Sequence, residues 1–324
     1  MDIYVKKAII HQFSPDDTDL YLADKFLNIT PKIEEYLRKK IERVYSDEAK
    51  TGIFEEDNPF LKMITDDLLE TSVAVANRWK EEFVVSENQK TNDLVFIQFS
   101  KEGVDHFAFL RIALRETLTH LGGEVDNPIK LTQNNLPGFG TGADEALVIN
   151  LQSRKYHLIE KRIKYNGTFL NYFSENLLQA QPKISPKKSI KALEKTAQKI
   201  AESFNTDDFQ FQSKVKSAIF NHIEEENKLS PEKLADDLFD DNLTARLSFI
   251  DQVKEAVPEP VTFEEIDASR QLKKFENQKL SLSNGIELIV PNNVYEDAES
   301  VEFILNENGT YSILIKNIED IQSK

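Results

Sequence analysis

Between residues 93 and 114 the chain runs DLVFIQF, then Ser100-Lys101-Glu102-Gly103, then HFAFLRIAL. Two apolar runs of strand length across a turn ending in glycine read as an antiparallel hairpin. ALVINL and KYHLIEKRI, around residues 146 to 163, suggest a second hairpin. Ahead of these, IYVKKAIIHQF (3–13) reads as a strand, and Tyr21 to Ile29 as another after the Ser14-Pro15-Asp16-Asp17 turn. Thr30-Pro31 starts a helix whose apolar residues Ile33, Tyr36, Leu37, Ile41 and Val44 follow a helical period. A second helix is expected over Asp66 to Phe83, and a loop rich in Asn, Pro and Gly over 132–143. Strands with helices set between them predict an α+β domain.

Near residue 182 the texture changes. Pro182 and Pro186 bracket a short break, and Ser185-Pro186 opens a helix with a buried stripe of Ile190, Leu193, Ala197, Ile200 and Phe204. Helices are expected at 207–226, 230–239 and 243–256, and Pro258 and Pro260 end the run. The tail reads as β: KLSLS, GIELIV and SVEFILN, then Asn308-Gly309 as a turn and TYSILIKNI. The expected class is therefore α+β. A mixed domain over 1–182, with antiparallel hairpins, precedes a helical segment and an antiparallel β-meander over 183–324.

The charge is uneven. The net formal charge is -16, yet Lys183, Lys187, Lys188, Lys191, Lys195 and Lys199 share their stretch with only one acid, Glu194. Lysines 187, 191, 195 and 199 recur every four residues, which on a helix keeps them along one side. Such a row can neutralise successive phosphates of a polyanion without reading bases. It is also the ordinary appearance of a solvated helix face. Lys161, Arg162 and Lys164 add positive charge upstream, and Arg270, Lys273, Lys274 and Lys279 form a second basic group. From Glu202 to Asp267 the sign inverts, with Glu224-Glu225-Glu226, Asp236, Asp237, Asp240 and Asp241 the densest acids. With a pI near 4.9, any contact with nucleic acid must use a local patch and weaken steeply with salt.

Chemistry-bearing motifs are sparse. There is no cysteine, hence no disulfide or thiolate. His11, His106, His120, His157 and His222 are scattered, with none at ligand spacing from another. The loop from Leu136 to Gly142 could offer backbone N–H groups to an anion, but no Lys-Ser/Thr ending follows it and the next residues read as strand. Phe169, Tyr172, Phe173 and Leu177 fit one buried helical stripe, although aromatics beside basic residues can also stack on bases. No apolar run approaches the ~20 residues of a membrane helix. Met1 to Lys7 reads straight into a strand with no leader pattern. No catalytic residue, metal or cofactor is expected.

Several blocks resemble a known family. They are Ile10-His11-Gln12-Phe13, Arg43-Val44-Tyr45-Ser46, Gly52-Ile53-Phe54, Val148 through Phe173, Thr206 to Phe239, Arg270 to Phe275, and Gly309 to Lys316. Together they are similar, nearly end to end, to the bacterial 37-kDa nucleoid-associated proteins. The resemblance implies a cytoplasmic protein at the nucleoid that binds double-stranded DNA with little sequence preference. In some members it also implies contact with a type II topoisomerase. It implies no enzymatic activity, and it leaves a homo-oligomer open. The candidate DNA contacts (Lys161, Arg162, Lys164, Lys187, Lys188, Lys191, Lys195, Lys199, Arg270, Lys273 and Lys274) rest on this chain's own charge pattern. One rival reading is a protein-interaction module that docks a basic partner such as a topoisomerase through the acidic region; a second is an enzyme acting on nucleic acid, its scattered carboxylates converging on a divalent metal.

Overall fold

A computed structural model describes residues 2–322, apart from 17, 85–89, 121–128, 166, 206–207 and 264. The chain divides into two compact units, residues 1–185 and 186–324. In chain order the first unit contains β1 (Ile3–Ser14), β2 (Asp19–Tyr21), α1 (Pro31–Glu42), β3 (Lys50–Ile53) and α2 (Leu68–Phe83). There follow β4 (Asn92–Lys101), β5 (Val104–Ala113), β6 (Arg115–His120), β7 (Ile129–Asn135), β8 (Glu145–Asn150), β9 (Lys155–Ile159), β10 (Ile163–Tyr165) and β11 (Thr168–Leu170).

Seven of these strands form one antiparallel sheet in the order β2-β1-β4-β5-β8-β9-β3. The β4–β5 hairpin closes on Glu102 and Gly103, both at positive φ (53° and 82°), the two-residue turn that matches strand twist. Successive residues of β4 enter opposite cores. Val95 and Ile97 pack with Leu37, Ile41 and Val44 on the α1 side. Leu94 and Phe96 pack with Val75, Trp79 and Phe83 on the α2 side. A helix on each face is what the unbroken apolar strands required. The Thr30 hydroxyl caps α1 by accepting from Ile33 N (3.4 Å), and the Asp67 carboxylate caps α2 by accepting from Leu69 N (2.8 Å). At the sheet's end Gly52 lies beneath the Tyr156 ring, where a Cβ would come within 2.3 Å of the hydroxyl.

Two expectations in this unit are corrected. Of the strand expected over Tyr21 to Ile29, only Tyr21 pairs, at the end of β2; the rest follows β1 with two bonds, Ala23 N to His11 Nδ1 (3.0 Å) and Leu27 N to Ala8 O (2.8 Å). Its half-buried residues Leu20, Ala23, Leu27 and Ile29 lack the period of two that one pleated face demands. The loop expected over 132–143 begins later, because residues up to Asn135 belong to β7, which pairs only with β6 as a separate ribbon.

The second unit contains α3 (Pro186–Ser203), α4 (Phe209–Glu226), β12 (Lys228–Leu229), α5 (Pro231–Leu238), α6 (Leu243–Lys254), β13 (Val261–Thr262) and α7 (Ser269–Phe275). It ends with β14 (Asn277–Ser281), β15 (Glu287–Pro291), α8 (Asn292–Tyr295), β16 (Val301–Leu305) and β17 (Tyr311–Ile315). Residues 206 and 207, where a helix and one matched block were expected to begin, lie outside the described residues. The expected stripe of α3 is buried, Ile190, Leu193, Ala197 and Ile200 packing with Ile219, Leu234, Phe249 and Phe275, while Phe204 is half-buried. The terminal meander resolves into two separate antiparallel hairpins, β14–β15 and β16–β17, and Gly309 (φ 79°) lies in the turn of the second.

Candidate nucleic-acid interface

Because α3 buries its apolar stripe, its opposite side faces water. Lys187, Lys188, Lys191, Lys195 and Lys199 are all exposed. From 187 to 199 the row spans about 18 Å, each rung about 6 Å further along the axis and about 40° around it. Lys199 Nζ donates to Gln252 Oε1 on α6 (3.1 Å). No ion pair to Lys188, Lys191 or Lys195 occurs among the described residues.

Of the second basic group, Arg270, Lys273 and Lys274 belong to α7, a helix that the short run Ser269–Phe275 did not announce by periodicity, and Lys279 lies on β14. Lys274 reaches α3 through Glu194 (Nζ to Oε2, 3.2 Å) and also lies over the Phe275 ring (4.2 Å). Arg270 and Lys273 are exposed on α7, beside Asp267. The Asp267 carboxyl is held below its usual range first by Ser269, through hydroxyl and N–H, and then by Arg270 and Lys273. Thus α3 and α7 bring two of the three basic groups together, with Glu194 offsetting part of their charge.

The third group lies in the other unit and has a different setting. Lys161 Nζ is paired with Asp144 Oδ1 (2.7 Å), Arg162 is exposed, and Lys164 is half-buried on β10. Burial pushes Asp144 up, but hydrogen bonds from Lys161 and the Ala113 N–H, with the Arg111 charge, hold it net below its usual range. The neighbouring aromatics divide: Tyr172, Phe173 and Leu177 are buried, whereas Phe169, on β11, is 59% exposed and leaves the expected stripe.

The acidic stretch is less free than its composition suggests. Asp236, Asp240 and Glu226 pair with Arg246 (3.0 Å), Lys214 (3.0 Å) and Lys233 (2.5 Å), and Asp237 with His222 (2.7 Å). Exposed pairs of this kind contribute little to stability, but they lower the field a basic partner would meet.

Three buried polar arrangements escaped the sequence. The loop from Leu136 to Gly142 has the opposite polarity from an anion cradle: the carbonyls of Pro137, Gly138 and Thr141 accept from Lys40 Nζ (3.3, 2.9 and 2.5 Å). The Tyr36 ring adds a cation–π contact at 4.5 Å. Lys40 is pushed down to about 8, first by burial and then by Arg43 and Arg115, with Asp144 opposing. Its position, seven after Ile33 and three after Leu37 in the apolar stripe of α1, was the available signal.

His11 Nδ1 accepts from Ala23 N (3.0 Å), so Nε2 carries the proton and meets Ser72 Oγ at 3.0 Å. Ser72 in turn donates to Leu69 O (2.8 Å). With its proton already placed, His11 cannot serve as base to Ser72, and the pair is a clip between β1 and α2. Burial pushes His11 down to about 4.

The third arrangement centres on Glu145, fully buried. It accepts from Arg111 Nε (2.6 Å) and from the Tyr172 hydroxyl, which itself accepts from Trp79 Nε1 (3.1 Å). Arg111 also donates to Asn92 Oδ1 (2.8 Å). Burial, and then the Glu145 charge, push Tyr172 well above its usual range.

Among the described residues no group of three or more His, Asp and Glu is placed to hold a metal ion, and no helix is long and apolar enough to cross a membrane. No curated protein matches the chain significantly. A family model does match, over residues 9–321, and its description names a nucleoid-associated protein rather than an enzyme. Because that match takes in nearly the whole of both units, the chain belongs to the family of nucleoid-associated protein YejK (NA37).

Proposed function

We propose that this nucleoid-associated protein binds double-stranded DNA directly, through backbone phosphates and with little sequence preference, using the exposed face of α3 extended by α7. The supporting observation is the row of five exposed lysines along one well-anchored helix of a chain whose net charge is -16. Phosphate contacts of this kind position a protein without specifying sequence. Arg162 and Lys164 of the other unit form a separate basic group that adds contacts. Neutralising about five phosphates gives a slope of about -4 to -5 in log affinity against log salt. Binding of purified protein to duplexes of unrelated sequence, at two salt concentrations, tests this; a sequence-dependent affinity or a flat salt response overturns it.

The role we assign is architectural, at the nucleoid in the cytoplasm, with no catalytic step. Docking of a type II topoisomerase through the acidic stretch is the second route to the chromosome. It is favoured by Glu224, Glu225 and Asp241, which stay exposed with no ion pair among the described residues. Pull-down with nuclease present separates the two: a complex that survives nuclease, from a protein with no DNA affinity of its own, favours docking.

A further inference from the structure

On the side facing Lys40, the loop after β7 is a cage of carbonyls, those of Pro137, Gly138 and Thr141. Among the described residues every peptide bond is trans. In a trans peptide the N–H points opposite to the C=O. The N–H groups of Gly138, Phe139 and Gly142, which follow those three carbonyls, are therefore turned away from the ammonium, toward the other side of the loop. None of them has an acceptor among the described residues. The peptide dipoles thus stand with their oxygen ends on a cation and their hydrogen ends outward. The outer side is positive for the same reason that the inner side is negative.

Two guanidinium groups flank this loop. Arg43 follows Lys40 by one turn at the end of α1, and its Cδ lies 3.8 Å from where a Cβ on Gly142 would stand. Arg115 is opposite Asn135, where the chain leaves β7 for the loop, and the Asn135 amide donates to Arg115 O (3.4 Å). Both arginines are exposed, and neither forms an ion pair among the described residues. The acids around them are engaged elsewhere: Glu42 with Arg38 and Lys39, Asp93 with Gln12, and Asp144 with Lys161 and the Ala113 N–H. After burial, the charges of Arg43 and Arg115 are what loosen the Lys40 proton, so three cations crowd one another here. The loop's glycines serve neither conformation nor packing. Gly138, Gly140 and Gly142 are not left-handed, and beside Gly138 and Gly140 nothing stands within 4 Å of a Cβ position. What glycine offers there is bare backbone open to a ligand.

We infer that the outer side of this loop, with Arg43 and Arg115, binds the dianionic phosphate group of a small molecule. Charge decides the class. A phosphate monoester carries about -1.5 to -2 near neutral pH, whereas each diester of a duplex carries one negative charge. Lys40, Arg43 and Arg115 around one short loop match the monoester, and a planar guanidinium can donate to two of its oxygens at once. The site belongs to the first unit and does not depend on the α3 face.

Transverse-relaxation-optimised ¹H–¹⁵N spectra of the full chain read the amides of Gly138, Phe139 and Gly142 directly. Titration with inorganic phosphate, and separately with adenosine monophosphate, is made at constant ionic strength. All three amides should move along one saturating curve in the millimolar range, while those of Gly103 and Gly309, in hairpin turns elsewhere, stay in place. Arg43→Gln and Arg115→Gln should each weaken binding about two- to fivefold, the worth of an exposed ion pair. The rest of the spectrum shows that each variant is folded. A duplex without terminal phosphates is the third arm. The inference is overturned if neither phosphate nor adenosine monophosphate gives a saturating shift, or if Gly103 and Gly309 move alike. It is equally overturned if the two arginine changes together leave the curve unaltered, or if only the duplex moves these amides, which would give the loop to the nucleic-acid interface.

Discussion

Lys274 of α7 and Glu194 of α3 lie 80 residues apart in sequence and 3.2 Å apart in space. Glu194 is the only acid between Lys183 and Lys199, and it holds a cation from the second basic group against the first. Glu194→Gln removes a negative charge from the lysine row and releases Lys274. The expected result is DNA binding a few-fold tighter at low salt, with the salt slope steeper by up to about 0.9, the share of one added phosphate contact. Filter binding or fluorescence anisotropy across a salt series measures both quantities.

Lys187, Lys191 and Lys195 changed together to Ala should weaken binding to all duplexes alike and flatten the slope by about 2.7, or 0.9 for each lost contact. Folding should be little affected, since alanine is a better helix former and these side chains face water. An unchanged slope would remove α3 from the interface.

Lys40 is expected to make stability depend on pH above neutrality. Its folded value of about 8 lies below the ordinary 10.5, chiefly through burial. Between those values the unfolded chain holds a proton that the folded chain has lost, so stability rises with pH across the window, by about 3 kcal/mol at most from this group. Lys40→Met should abolish that rise. It should also cost about 2 kcal/mol at pH 7, because three carbonyls lose their donor. Urea denaturation of both proteins at pH 7 and pH 10 measures the difference.

His11 acts in the acid range. Its folded value of about 4 lies below the ordinary 6.5 because the ring is buried. The unfolded chain binds the extra proton, so this contribution is complete above pH 6.5 and is lost as pH falls toward 4, by about 3 kcal/mol in all. In an NMR titration the His11 ring should hold its neutral shifts down to about pH 4. A midpoint near 6.5 would contradict the clip.

Glu145→Gln should destabilise the first unit by about 3–5 kcal/mol, because it leaves Arg111 buried without a counter-charge. Glu145→Leu combined with Arg111→Met should cost less than the sum of the single changes, since neither residue then strands the other. A double-mutant cycle by chemical denaturation gives the coupling directly.

What the sequence disclosed depended on pattern length. The β4–β5 hairpin, the capped start of α1 and the stripe of α3 each carry a full period of apolar residues, and all three form where expected. The β6–β7 ribbon did not stand out, because RETLTH and IKLTQNN mix threonine and charge with too few apolar residues to mark a buried face. For the interface, the lysine spacing was visible in the chain order. The meeting of α7 with α3 was not, because a contact across 80 residues leaves no local trace. The inward aim of Lys40 was hidden for a related reason: residue type alone assigns lysine to the surface, and only its place in the α1 stripe argued otherwise.

The neighbouring places of β5 and β8 in the sheet have an evolutionary corollary. Residues 114–144 enter and leave at adjacent points of a finished ladder, so the ladder does not need them. Outside the carbonyls that Lys40 needs and the Asp144 carboxylate that accepts from Ala113 N, excisions and insertions there change mainly the closure entropy of one excursion, which grows slowly with its length. Relatives can therefore be expected to differ more in this segment, in reach and in chemistry, than in any strand flanking it, and so to acquire or shed companions while the scaffold stays the same.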